Sequence, residues 1–272
     1  MSHRPDHDIA DDTDQHLDTD QLAAALVEQT TAFTEAVAGA DWDAPVPTCP
    51  AWQLRVLVGH IGQEHRWMSD IVRTGGASPV PDPHHAEPPA DWRGWLRDGA
   101  AGLVDAVWTV GADTPVWTFV GPRPARFWLR RATHDTTLHR VDAALHAAVP
   151  YRLPPRLAAD AITELLQLLR LLALPAAEGL RPTAAKLRGQ GETMRIVTTD
   201  VGTSPHTVTA WLVTRTPEGL TWQSDTGGVA DVEVSGTAQD LLLVLARRLP
   251  PTRVSVDGQA ALLHHWLEHS LL

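Results

Sequence analysis

His60, Asp135 and His139 are the residues of this chain whose types and spacing are suited to chemistry. Asp135 and His139 lie four residues apart in His134-Asp135-Thr136-Thr137-Leu138-His139-Arg140, a segment compatible with a helix. Their side chains leave one helix face only about 40° apart. His60 is far upstream, in Leu57-Val58-Gly59-His60-Ile61-Gly62, on a different predicted helix. Two antiparallel helices that bring these segments together offer two imidazoles and one carboxylate. That set can hold a divalent metal ion and still leave a coordination position open for a reacting group.

The neighbouring candidates read differently. His134 is five residues from His139, about 140° around the helix, which disfavours a three-histidine iron site. Glu64 shares the face of His60 and is given a solvated or supporting role, whereas His65 does not share that face. His146 lies two turns beyond His139, outside direct reach of the ion. Arg140 and Asp142 adjoin the triad as orienting groups or interhelix ion pairs. Cys49 precedes a predicted helix start, where a thiolate is favoured. His60 lies eleven residues further on, about 16 Å along a helix, so Cys49 is assigned to packing.

The elements that must position these residues follow from periodicity. A first helix is predicted from about Thr19 to Ala38, capped by Asp18 or Thr19, with Leu22, Leu26, Phe33 and Val37 at helical spacing. Ala44-Pro45-Val46-Pro47-Thr48-Cys49-Pro50 cannot be helical. The second helix begins near Ala51, continues to about Arg73 and is stopped by Gly75-Gly76. After a proline-rich loop over 77–90, a third helix spans Trp92 to Trp108, with Trp95, Leu96, Leu103 and Val107 inward. Trp117 to Pro124 is irregular or extended. The fourth helix, about Ala125 to Ala148, carries Asp135 and His139. A fifth, Pro155 to Leu174, is the most apolar. Such helices make a bundle, a form in whose core metal sites are built from facing helices.

Beyond Pro175 the period changes. Residues 193–199, 207–213 and 219–223 alternate or are β-branched and are separated by Gly, Pro and Ser turns, which reads as strands. Val232-Glu233-Val234-Ser235-Gly236 leads into a helix from Ala238 to Arg248, and Val254-Ser255-Val256 into a last helix from Gln259 to His269. The fold class is therefore α+β: an acidic disordered tail (1–18), a metal-binding helical bundle (19–176) and a small C-terminal α+β domain (185–272).

The chain has 272 residues, enough for two cores, and 22 basic against 33 acidic residues give a formal charge of −11. That balance argues against a nucleic-acid partner, whose phosphates demand Lys and Arg. No apolar run approaches the roughly 18 residues of a membrane span, and no secretory pattern opens the chain, so a soluble cytoplasmic protein is expected. A single cysteine excludes an internal disulfide and, on this reading, a cysteine-ligated metal site.

Several motifs in order carry a resemblance. Thr48-Cys49-Pro50-Ala51-Trp52, then Leu57-Val58-Gly59-His60, then an acidic residue before His139-Arg140-Val141-Asp142-Ala143, are similar to the mycothiol-dependent maleylpyruvate isomerase family of DinB-like bundles. Gly236-Thr237-Ala238-Gln239-Asp240-Leu241-Leu242-Leu243, Arg247-Arg248-Leu249-Pro250 and Trp266-Leu267 resemble that family's C-terminal domain. The resemblance covers roughly residues 20–270. It implies a zinc ion held at His60, Asp135 and His139, with mycothiol or another low-molecular-weight thiol as cosubstrate. It also implies that Arg248 can grip a substrate or cofactor carboxylate; a solvated helix-end arginine is the other reading. Asp135 stands where the family has glutamate and sets the carboxylate back by about 1.5 Å.

A metal-bound thiol loses its proton and becomes a nucleophile at neutral pH. Addition to an activated double bond, rotation and expulsion would give cis–trans isomerisation of a small-molecule substrate; displacement would give S-transfer. A non-catalytic metal- or ligand-binding protein is the alternative from another class.

Overall fold

The computed structural model describes residues 16–174, 182–201, 209–225 and 227–270. The first fifteen residues of the expected acidic tail lie outside the described residues. The next three are docked. His16 Nδ1 and the Leu17 amide both reach Asp160 Oδ1, and Asp18 caps the first helix through a reciprocal pair with Gln21.

Helices α1 (Thr19–Val37), α2 (Leu54–Thr74), α3 (Trp92–Val110) and α4 (Arg126–His146) form the bundle. The second helix starts three residues later than its periodicity predicts. Cys49–Gln53 is extended (β2) and pairs antiparallel with Pro45–Val46 (β1), so the proline-rich segment becomes a hairpin. Gly75 ends α2 in the left-handed conformation, φ 68°. Short strands β3 (Pro115–Val116) and β4 (Arg123–Pro124) pair in the connection to α4.

Two apolar clusters fill the bundle. One gathers Leu22 and Leu26 of α1, Met68 and Ile71 of α2, Leu103 and Val107 of α3, and Trp128 and Leu129 of α4. The other gathers Phe33 and Val37, Leu54 to Ile61, Leu96 and Ala143. Their order along each helix gives the directions: α1 and α4 run from the first cluster to the second, and α2 and α3 run the other way. Consecutive helices that run the same way need a connection as long as a helix, about 31 Å for 21 residues. The proline-rich segment between α2 and α3 supplies it. Between the clusters lies a polar layer in which Gln29, Thr30, His65, Thr133, Thr136 and Thr137 are buried, and the triad occupies the same level.

Helix α5 (Pro155–Leu172) serves both halves. Counted with the bundle from its sequence, it places Ile162, Leu165, Leu166 and Leu169 in the core of the sheet region, with Trp211, Leu220 and Leu242. An apolar stripe specifies that a helix is covered, not by which partner. Its polar side, Asp160, Glu164 and Gln167, faces α4.

The C-terminal region has one five-stranded sheet in the order β7-β6-β5-β8-β9, where β5 is Thr193–Thr198, β6 Ala210–Thr216, β7 Gly219–Ser224, β8 Val232–Gly236 and β9 Ser255–Gly258. Only the β5–β8 pair is parallel. Helices α6 (Ala238–Leu245) and α7 (Ala260–His269) complete it. Helix α6 stops three residues short of its predicted end. Arg247 turns left-handed, φ 64°, and the Arg248 amide bonds back to Leu243 O at 2.7 Å, a reversal that closes the helix. Among the described residues no helix is long and apolar enough to cross a membrane.

Candidate metal centre

The antiparallel crossing of α2 and α4 brings the three expected ligands together. His60 Nε2 lies 3.5 Å and His139 Nε2 3.8 Å from the same oxygen, Asp135 Oδ2. All three ligand atoms fall within 4.8 Å of one another. Donors around a tetrahedral zinc at about 2.0–2.1 Å are spaced about 3.4 Å apart, so the set matches an ion's coordination sphere even with the shorter aspartate. The side chains keep 14%, 21% and 10% exposure, which leaves the cluster reachable from solvent.

The decisive atom is Asp135 Oδ2. Its twin, Oδ1, accepts from Arg131 Nη2 at 2.8 Å, whereas the buried Oδ2 has no hydrogen bond of ordinary length and faces only the two imidazoles, at 3.5 and 3.8 Å. A buried carboxylate oxygen left bare is costly, and a cation between it and the two imidazoles removes that cost. Burial pushes the Asp135 carboxyl up, but His139, His60 and Arg131 outweigh it and hold the carboxyl well below its usual range. Burial and the Asp135 charge push the nearby Glu64 carboxyl up to about 7. Glu64 therefore stands beside the triad as an acid able to carry a proton near neutrality.

Supporting groups fix the ligands. His139 Nδ1 bonds Asp142 Oδ2 at 2.8 Å, which leaves Nε2 for the ion. The half-buried Arg131 grips both oxygens of Glu164 on α5 at 2.7 Å while holding Asp135. Trp52 of β2 covers both imidazoles, its ring 5.0 Å from that of His60 and stacked at 6.0 Å on that of His139. Two glycines flank His60. A Cβ on Gly59 would lie 2.2 Å from the Ala86 carbonyl of the long crossover, and one on Gly62 would lie 1.9 Å from the Trp95 ring.

The remaining candidates take other places. His134 turns to Asp160, with 2.6 Å between Nε2 and Oδ2, and His65 Nε2 is 2.9 Å from Thr136 Oγ1. His146 approaches the carbonyls of Asp41 and Pro45. Arg140 donates to Gln29. Arg248 makes the two-pronged carboxylate grip expected of it, but the carboxylate is the chain's own Asp142, with Nε–Oδ1 and Nη2–Oδ2 both 3.0 Å. Cys49 does not sit a helix length from the site. The β1–β2 hairpin folds back and sets its sulfur 4.0 Å from Asp142 Oδ2. Burial and the Asp142 charge push the Cys49 thiol up, away from a thiolate. Cys49, His139 and Asp142 make a second candidate ligand group, but a cation there would displace the Arg248 guanidinium.

Comparison with known proteins places the chain in a family. Residues 23–144 match the mycothiol maleylpyruvate isomerase N-terminal domain and residues 156–265 the MDMPI C-terminal domain of that isomerase. The chain belongs to the mycothiol-dependent maleylpyruvate isomerase family, a family of enzymes. No curated protein sequence matches it. The crystal structure of the mycothiol-dependent maleylpyruvate isomerase superposes with a TM-score of 0.57 at 15% identity, over 89% of this chain and 95% of that one. A variant of that enzyme with one histidine changed to alanine gives the same figures. At this identity the likeness shows the common fold. The residues around the cluster that spacing alone overlooks are Arg131 and Glu164, which hold Asp135 in place. Arg131 stands one turn before Asp135, and its other partner, Glu164, comes from α5.

Proposed function

We propose that the chain is a metal-dependent enzyme that activates a low-molecular-weight thiol, such as mycothiol, for attack on an electrophilic small molecule. Cis–trans isomerisation of a maleylpyruvate-type substrate is the first reading, and S-transfer starts from the same activated thiol. The observation that carries the proposal is the convergence of His60, Asp135 and His139 on a buried, partnerless carboxylate oxygen. A divalent ion held there, zinc first among candidates, supplies the positive charge that keeps a thiol ionised at neutral pH.

The chain's own groups do the rest. Arg131 orients the Asp135 carboxylate, and Asp142 fixes which nitrogen His139 turns to the ligand position. Trp52 shields the two imidazoles from bulk water on one side. Glu64 stands beside the cluster as a carboxyl that can take or return a proton.

The test is metal analysis of protein made in zinc-replete medium, together with turnover assays. The expected result is about one ion per chain and thiol-dependent turnover that chelation abolishes and zinc restores. Metal-free protein, or turnover indifferent to thiol, overturns the proposal. An ion bound without thiol affinity favours the non-catalytic binding protein. Product analysis separates the reactions, because isomerisation returns the thiol and transfer retains it.

A further inference from the structure

Asp142 is fully buried, and three separate parts of the chain bond to it. His139 of its own helix meets Oδ2 at 2.8 Å. Thr48, between β1 and β2, donates to Oδ1 at 2.6 Å. Arg248, in the turn after α6, donates through Nε and Nη2, one to each oxygen at 3.0 Å, while its Nη1 bonds Ala246 O at 2.8 Å. Arg248 reaches inward because Arg247 adopts φ 64°, a conformation that a residue with a Cβ takes only under constraint.

We propose that Arg248 is a positioning residue through which the C-terminal domain fixes the metal site: it holds Asp142, and Asp142 holds His139. A carboxylate locked to a guanidinium only accepts hydrogen bonds, so His139 must place its proton on Nδ1. Nε2 is then the nitrogen turned toward Asp135 and His60. The rival role for Arg248 is to grip a substrate carboxylate. A side-on grip of that kind needs the Nε–Nη2 edge, which Asp142 occupies.

The inference rests on the metal reading above, and its test separates the two. In metal-free full-length protein carrying 15N-histidine, ring NMR correlations are expected to show His139 Nδ1 protonated and hydrogen-bonded, whatever Nε2 carries. Arg248→Ala and Asp142→Asn should each give a mixed tautomer and weaken zinc binding about 10- to 100-fold by chelator competition. Ethylguanidinium added to Arg248→Ala should recover part of that loss. Arg248→Gln, closer in shape, carries the same expectation if the alanine variant does not fold. A wild-type tautomer and zinc affinity in these Arg248 variants, with KM for the electrophile alone raised, overturns the inference and gives Arg248 to the substrate. If the wild type binds no zinc, the metal reading fails, while the tautomer measurement still decides whether Arg248 governs His139.

Discussion

The two sides of α4 use the same three residue types to opposite ends. On one side Asp135, His139 and the facing His60 are joined by Arg131; on the other, His134 and Arg130 meet Asp160, with His16 beside them. Asp160 is saturated: His16, Leu17 and Arg130 bond Oδ1, while Arg130 and His134 bond Oδ2. Burial pushes its carboxyl up, but Arg130, His134 and His16 hold it well below the usual range. Asp135 has one oxygen satisfied and one bare. A cluster of imidazoles and a carboxylate is thus a fastening when its lone pairs are consumed and a receptor for a cation when one is spared.

The hardest blow to this contrast comes from the ligands themselves. His60→Ala and Asp135→Ala should each lower zinc affinity more than the about 10- to 100-fold typical of losing an outer partner, and abolish thiol-dependent turnover. Retention of metal by both variants erases the distinction between the two sides. Asp160→Ala should behave oppositely. It leaves Arg130, with 13% of its side chain exposed, without its counter-charge and should cost about 3–5 kcal/mol by denaturant unfolding, with zinc content unchanged.

Another histidine of the bundle sharpens the contrast through pH. Burial lowers His65 to about 4, so the folded state keeps it neutral where the unfolded chain, near 6.5, takes up a proton. Stability should therefore decline as pH falls from about 6.5 to about 4, by about 3 kcal/mol from this group, and level off below. His65→Gln should flatten that limb of the urea-unfolding profile; an unchanged slope refutes the assignment. The smallest effect is expected of Gly59→Ala, where a Cβ 2.2 Å from the Ala86 carbonyl forces the crossover outward. A loss of about 1–3 kcal/mol in thermal unfolding with zinc retained would mark the crossover as packing; loss of zinc would tie it to the site.

The sequence discloses the helices because apolar residues recur every three or four positions between Pro and Gly stops, and it discloses the triad because Asp135 and His139 share a helix face. What it conceals is contact across the fold. Leu165, Leu166 and Leu169 announce that α5 is buried but not that a sheet buries it. Cys49 is measured wrongly along a helix because residues 49–53 are extended and fold back on α4. Asp142 and Arg248 are 106 positions apart, and no local pattern records their meeting. The end of α6 is missed because Arg247 takes a left-handed turn usually left to glycine.

Helix α5 is a party wall. Its leucines are bricks in the sheet's house, while Asp160 and Glu164 neutralise the guanidinium groups of the bundle next door. Neither dwelling can be vacated without stranding charge or baring hydrocarbon in the other. Heating should consequently melt the molecule as a single calorimetric event, despite its two architectures.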